Sequence, residues 1–198
     1  MTIKPADEPT DPTGRILLAA REVFAADGLD AGLETIARRA GVGVGSIYRR
    51  FGNKNDLIEK IAQERFAQVV ARMSAAIDAD DPWDAFSIEF RRSVAEYASD
   101  RGFRELVLGS VTGSLGWARG SRPEKLQAAT ARWSAEVEGV IDRLMGRARD
   151  AGALRADASG SVILLLSMAL QSVSALGDDR DRDLAVSIVL DGLRARSG

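Results

Sequence analysis

Apolar residues recur along this chain at intervals of three and four, the period of helices buried along one side. Ile16, Leu17, Ala20, Val23 and Phe24 mark the first stripe, in a helix starting near Thr13. Gly28 is placed to end it, since glycine readily takes the left-handed conformation past a last helical turn. Leu33, Ile36, Ala37 and Ala40 predict a second, short helix closed by Gly41, with Val42 plugging the core beyond the turn. A third runs from about Val44 to Arg50, burying Ile47 and Phe51 four residues apart. Asn53 or Asn55 can cap a fourth helix through its side-chain oxygen. That helix carries Leu57, Ile58, Ile61, Ala62, Phe66 and Val69 and extends to about Ile77.

Asp78-Ala79-Asp80-Asp81-Pro82 is a clear break. Beyond it the pattern predicts a helix from Trp83 to about Ser99, then a glycine-interrupted one over 101–116, then a loop to Pro123. A long amphipathic helix follows to about Ala151, with Leu126, Trp133, Val137, Val140, Ile141, Leu144 and Met145 on its apolar side. Two last helices are expected over about 158–175 and 182–196, split at Gly177-Asp178-Asp179. No strand-like alternation of useful length and no internal repeat is present. The fold class expected is all-α, about nine helices: a small three-helix head over 13–58 and a larger C-terminal helical bundle over 59–198, after a disordered tail over 1–12.

Composition narrows the chemistry. The 198 residues are 45% hydrophobic and 28% charged, enough for a real core. There is no cysteine, so disulfides, thiolate metal sites and cysteine nucleophiles are excluded. There is no histidine, so a Ser-His-Asp triad, a histidine-ligated metal and a histidine base are excluded as well. No cofactor is expected. The beginning of the sequence is polar and proline-rich and lacks the apolar segment of a signal peptide. The longest apolar run, from Val162 through Leu170 with Ser167 inside it, is about half of what a membrane span needs. The expectation is a cytoplasmic protein with no membrane partner.

Net charge is only −2, but its distribution is uneven. Between Leu33 and Lys54 stand five cations (Arg38, Arg39, Arg49, Arg50, Lys54) and a single acid, Glu34. A basic patch on an acidic protein favours one local face for nucleic acid. The third helix opens on small residues, Gly43, Gly45 and Ser46, which allow a backbone to approach base edges closely. Each glycine costs about 1 kcal/mol of helix stability relative to alanine. Val44 offers a methyl surface to a thymine methyl, and Ser46 a hydroxyl to a base or a phosphate. Tyr48 can give its hydroxyl to a phosphate. Arg49 suits a bidentate guanine contact, with phosphate contact as the alternative; Arg50 and Lys54 suit phosphates. Taken singly, these features have plainer readings: an Arg-Arg pair is usually a solvated face, and glycine turns join helices in any bundle.

In order, however, the run Ile-Ala-Arg-Arg-Ala-Gly-Val-Gly-Val-Gly-Ser-Ile-Tyr-Arg-Arg-Phe-Gly-Asn-Lys-Asn-Asp-Leu resembles the TetR family of bacterial transcriptional regulators. That family's signature reads Ile-Ala-x-x-Ala-Gly-Val-Ser-x-Gly-x-Leu-Tyr-x-His-Phe-x-x-Lys-x-x-Leu. The resemblance covers about residues 15–60, including the helix from Ile16 to Gly28. It implies a helix-turn-helix DNA-binding head. Val44, Gly45 and Ser46 would stand at base-reading positions, Tyr48 at a backbone-contacting tyrosine and Lys54 at a phosphate-binding lysine. Arg50 replaces the usual histidine, and Gly43 replaces the usual serine of the turn. Thr35 is the nearest hydroxyl to the Thr or Ser that often opens helix two, shifted along the helix.

The resemblance further implies a homodimer on double-stranded operator DNA with a small-molecule effector in the body. Two heads would read an inverted repeat with half-sites about 34–36 Å apart or somewhat more. The apolar faces of the last two helices, Val162, Leu165, Leu166, Ala169 and Val173 with Leu184, Ile188, Leu190 and Leu193, are either the dimer surface or the closure of the monomer core. Trp83, Phe86, Phe90, Phe103, Trp117, Trp133, Met145 and Met168 either line an effector pocket, which would suit an apolar or aromatic molecule, or form plain core. The acids at 78, 80, 81, 178, 179, 181 and 183 read better as solvated loop and helix-start residues than as a metal site. The reading reached is a ligand-responsive DNA-binding repressor without enzymatic activity. The alternative is an all-α small-molecule-binding or enzymatic protein whose helix-turn-helix is purely structural.

Overall fold

The computed structural model describes residues 11–112, 124–176 and 178–195, with 108–112 and 171–176 as backbone alone. Among the described residues there are nine α-helices: α1 (Pro12–Asp27), α2 (Leu33–Ala40), α3 (Val44–Phe51), α4 (Lys54–Ile77), α5 (Pro82–Ser99), α6 (Arg101–Thr112), α7 (Glu124–Asp150), α8 (Gly160–Leu176) and α9 (Asp179–Leu193). The one β-type pairing described is an isolated antiparallel bridge between Leu154 and Arg194. Two compact units result: residues 1–64 with 100–130, and 65–99 with 131–198, their limits falling inside α4 and α7.

In the first unit, α1 starts one residue before the expected position. Asp11 is its N-cap, its Oδ1 accepting the amides of Thr13 at 2.8 Å and Gly14 at 3.0 Å, with Pro12 in the first turn. Residues 11 and 12 therefore belong to the helix start, and the rest of the expected tail lies outside the described residues. These amide bonds, chiefly that of Gly14, hold the Asp11 carboxyl below its usual value. Ile16, Ala19, Ala20, Val23 and Phe24 are buried, as are Leu33, Ile36, Ala37 and Ala40 of α2, Ile47 of α3, and Leu57, Ile58, Ile61 and Ala62 of α4. Each fully buried Ile or Leu contributes about 1.5–3 kcal/mol relative to an exposed one. Leu17 and Val42, expected inside, are half-buried. Gly41 takes φ +64, the left-handed conformation that lets α2 end and α3 begin within a few residues. α6 packs on α1 and so joins this unit, although far from the head in sequence.

In the second unit, α5 packs on α8 and α9, and α8 on α9. Trp83, Phe86 and Phe90 form a row along the buried side of α5, with ring centroids 5.8 and 6.1 Å apart. Phe66 stacks on Trp133 at 5.6 Å. Arg72 of α4 is fixed between two carboxylates of α5: its Nε donates to Glu89 at 2.7 Å and its terminal nitrogens to Glu96 at 3.0 and 3.2 Å. The chain's far end is tied to the loop after α7, Arg155 N–H donating to Leu193 O and Ala195 N–H to Ala153 O. α8 begins at Gly160, after a Ser159 whose hydroxyl accepts the Val162 amide, rather than at 158. α9 begins three residues earlier than the spacing suggests, because Asp178 caps it through the Asp181 amide at 2.9 Å and acids suit a first turn. Asp81 likewise accepts the Asp84 amide at the start of α5. The expected loop to residue 123 lies outside the described residues.

Candidate nucleic-acid interface

α3 has one buried side and one open side. Ile47 is fully buried and anchors the helix, while Gly45, Tyr48, Arg49 and Arg50 are exposed and Val44 and Ser46 half-exposed. Phe51, expected to bury with Ile47, is half-buried. The Arg49 guanidinium lies back along the tip, donating to Ser46 Oγ at 3.0 Å, and Arg50 reaches Ser46 O at 3.4 Å.

The glycines of this tip are not required by the chain itself. Gly43, the N-cap of α3, has φ −74, and a Cβ there would meet nothing within 4 Å. A Cβ at Gly45 would meet only the Arg49 guanidinium, at an ordinary 3.5 Å. Neither backbone conformation nor crowding demands glycine, so the missing side chains leave room for something approaching from outside. Gly52, by contrast, has φ +82 and is needed where α3 turns into α4.

Asn53, not Asn55, is the residue that starts α4: its Oδ1 accepts the amides of Asn55 at 2.8 Å and Asp56 at 3.1 Å. This places Lys54 in the first turn, half-buried. Desolvation lowers its pKa, and the carboxylates of Asp30 and Glu105 offset part of that. Thr35 sits half-buried in a hollow between α1 and α2, shared with Glu22, Arg38 and Arg39. Arg39 Nε donates to Glu22 at 2.8 Å, an exposed pair of little energetic weight.

A profile described as bacterial regulatory proteins, tetR family, matches residues 16–61, the segment just described. A second, described as the C-terminal domain of SbtR-like transcriptional regulators, matches residues 81–195, more than half the chain. The chain belongs to the TetR family. Its relatives include TtgW, an uncharacterised HTH-type transcriptional regulator of Pseudomonas putida, 30% identical over 109 residues that make up 54% of this chain and 81% of that protein. A TetR regulator from Mycobacterium vanbaalenii superposes with a TM-score of 0.63 at 30% identity, covering 92% of this chain and 95% of its own. Another, from Streptomyces coelicolor, gives 0.65 at 26% identity, with 94% and 100% covered. TetR proteins are transcriptional regulators carrying a DNA-binding helix-turn-helix, and they are not enzymes, so the catalytic alternative falls.

The residues expected either at an effector pocket and a dimer surface or in the core differ in burial. Trp83, Phe86, Phe90 and Met145 are buried in the second unit, and Trp133 and Met168 are partly exposed there. Phe103 is buried in the first unit. Trp117 lies outside the described residues. On the last two helices Val162, Leu165, Ala169, Leu184 and Ile188 are exposed and Leu166 half-buried. Leu190 and Leu193 are buried within the single chain and serve its own core. The side chain of Val173 is not among those described. Glu105 and Gly102 of α6, which had no signal in the local pattern, reach the head, where Glu105 is felt by Lys54.

Proposed function

We propose that this TetR-family protein is a homodimeric, effector-responsive repressor that reads an inverted-repeat operator with α3. The observation that carries the proposal is the division of α3 into a sealed side, Ile47, and an open side of small and cationic residues whose glycines have no internal purpose. Val44, Gly45 and Ser46 would meet base edges. Arg49 would read a guanine, and Tyr48, Arg50, Lys54 and Thr35 would hold the backbone.

The exposed apolar residues of α8 and α9, Val162, Leu165, Leu184 and Ile188, suit a twofold interface that would bring two heads to one duplex. The aromatic second unit suits an apolar or aromatic effector. Effector binding would favour a state in which the two heads no longer match the operator spacing, through differential affinity for the two states. Repression would follow from occupying a promoter. No helix among the described residues is long and apolar enough to cross a membrane, and a cytoplasmic site of action is part of the proposal.

The test is fluorescence anisotropy with a duplex that the protein selects from a random pool, set against an unselected duplex. Tyr48→Ala and Lys54→Ala should weaken both, and Arg49→Ala should change which base is preferred at one position of each half-site. Unchanged affinity in the Tyr48 and Lys54 variants refutes the assignment of α3.

A further inference from the structure

The start of α6 lies in the stretch matched by the C-terminal profile, yet it is built into the head. Gly102 is buried, and a Cβ there would stand 2.8 Å from the carbonyl oxygen of Phe24 and 3.0 Å from its Cβ. Only glycine lets the α6 backbone rest on the last turn of α1. One turn further, Glu105 reaches the segment joining α1 to α2. Its Oε2 accepts the Leu29 amide at 2.8 Å, and its Oε1 accepts from Arg101 Nε at 2.9 Å.

The carboxylate lies against Gly28, which holds φ +84 and where a Cβ would meet Glu105 Oε1 at 2.6 Å. Leu29 is buried, so its amide without Glu105 is left as a donor shielded from water, which costs more than an ordinary hydrogen bond gains. The segment leads directly into α2, whose N-cap, Gly32, makes no side-chain hydrogen bond. Gly32 has no side chain to fix where α2 begins; the segment before it is held by the Ala31 amide on Gly28 O at 3.3 Å and, from α6, by Glu105 on the Leu29 amide.

We propose that Glu105 is a positioning residue for DNA binding: through the Leu29 amide it holds the α1–α2 turn, and with it the α2–α3 pair, in the geometry a duplex requires. It touches no DNA. The inference rests on the reading of α2 and α3 as the DNA face.

The test compares full-length Glu105→Ala, Glu105→Gln, Glu105→Asp and Arg101→Ala on the selected duplex, at a temperature where circular dichroism shows each variant folded. Glu105→Ala should raise Kd about tenfold, the effect of losing one charge-assisted bond to a buried amide and thereby depopulating the competent turn. Its salt dependence should stay unchanged, since no phosphate contact is lost. Glu105→Gln, which keeps a carbonyl acceptor, should bind within about threefold of the native protein. Glu105→Asp keeps the charge but is one methylene short, and should behave like alanine; it serves if the alanine variant does not fold. Arg101→Ala should leave binding as it is. Hydrogen exchange of the Leu29 amide should quicken in the alanine variant and not in the glutamine one. Native affinity in Glu105→Ala, a loss that glutamine does not rescue, or a shallower salt dependence each overturns the proposal. If the Tyr48, Arg49 and Lys54 variants also bind normally, it is the DNA face that is wrong; if they fail while Glu105→Ala binds normally, only the positioning role is lost.

Discussion

Ile47 and Tyr48 are neighbours in sequence with opposite surroundings: Ile47 is 0% exposed and Tyr48 51%. One step along a helix rotates a side chain by about 100°, which carries it from the core of the head to its outer face. Ile47→Ala should therefore lower unfolding free energy by about 2–5 kcal/mol, as truncating a sealed aliphatic side chain does. Tyr48→Phe should leave stability within about 0.5 kcal/mol, because the site is exposed, and weaken specific and unspecific DNA alike. Lys54→Ala should also reduce the slope of log K against log salt by about 1, one phosphate contact's share. Urea titration and anisotropy over a salt series read the three variants separately.

The exposed and buried apolar residues of α8 and α9 should respond differently. Leu165→Glu or Ile188→Glu places a charge on an open apolar surface, and each should yield a folded monomer in sedimentation equilibrium. Leu190→Ala empties a sealed position in the same helix as Ile188. It should instead cost about 2–5 kcal/mol of stability. A native protein that is monomeric at micromolar concentration would remove the dimer from the proposal.

Burial pushes the Tyr97 hydroxyl up to about 12, the neighbouring Glu96 acting in the same direction and Arg65 and Arg72 against it. The folded state thus favours the neutral phenol. Tyr97's contribution is complete below the unfolded pKa of about 10 and is lost as pH rises toward 12. The loss amounts to roughly 2–3 kcal/mol for two pK units. Absorbance at 295 nm, native minus Tyr97→Phe, should show ionisation delayed to that range. A transition near pH 10 would contradict the burial described.

Removing Arg72 should be costly because of what it leaves behind. Glu89 is 6% exposed, and its bond from Arg72 Nε at 2.7 Å offsets the desolvation of that carboxylate. Arg72→Ala should lower stability by about 3–5 kcal/mol, the range for breaking a buried pair on one side. Arg92→Ala, which removes an exposed partner of Glu96, should cost under about 1 kcal/mol. Chemical denaturation of the two variants decides the matter.

The helical period, the ends of α1 and α2 and the break before α5 are all legible in the residues alone. Starting and stopping a helix depends on capping groups and apolar spacing within about one turn, so Gly28, Gly41 and Pro82 announce themselves, while Asn53 and Asn55 are told apart only by which side chain accepts the α4 amides. The order of residues from Ile36 to Lys54 likewise carries the TetR likeness, because the side chains of α3 that stay outside do so through the same local period that buries Ile47. What the tertiary structure alone decided is non-local. Leu184 and Ile188 stay open while Leu190 and Leu193, of similar chemistry on the same helix, are sealed. Which of two apolar positions finds a neighbour depends on the packing of α5 and α8 against α9, not on either residue. The Leu29 amide meets a carboxylate from Glu105, 76 positions away. No local pattern records that meeting, because it depends on α6 settling onto α1 where Gly102 allows two backbones to touch.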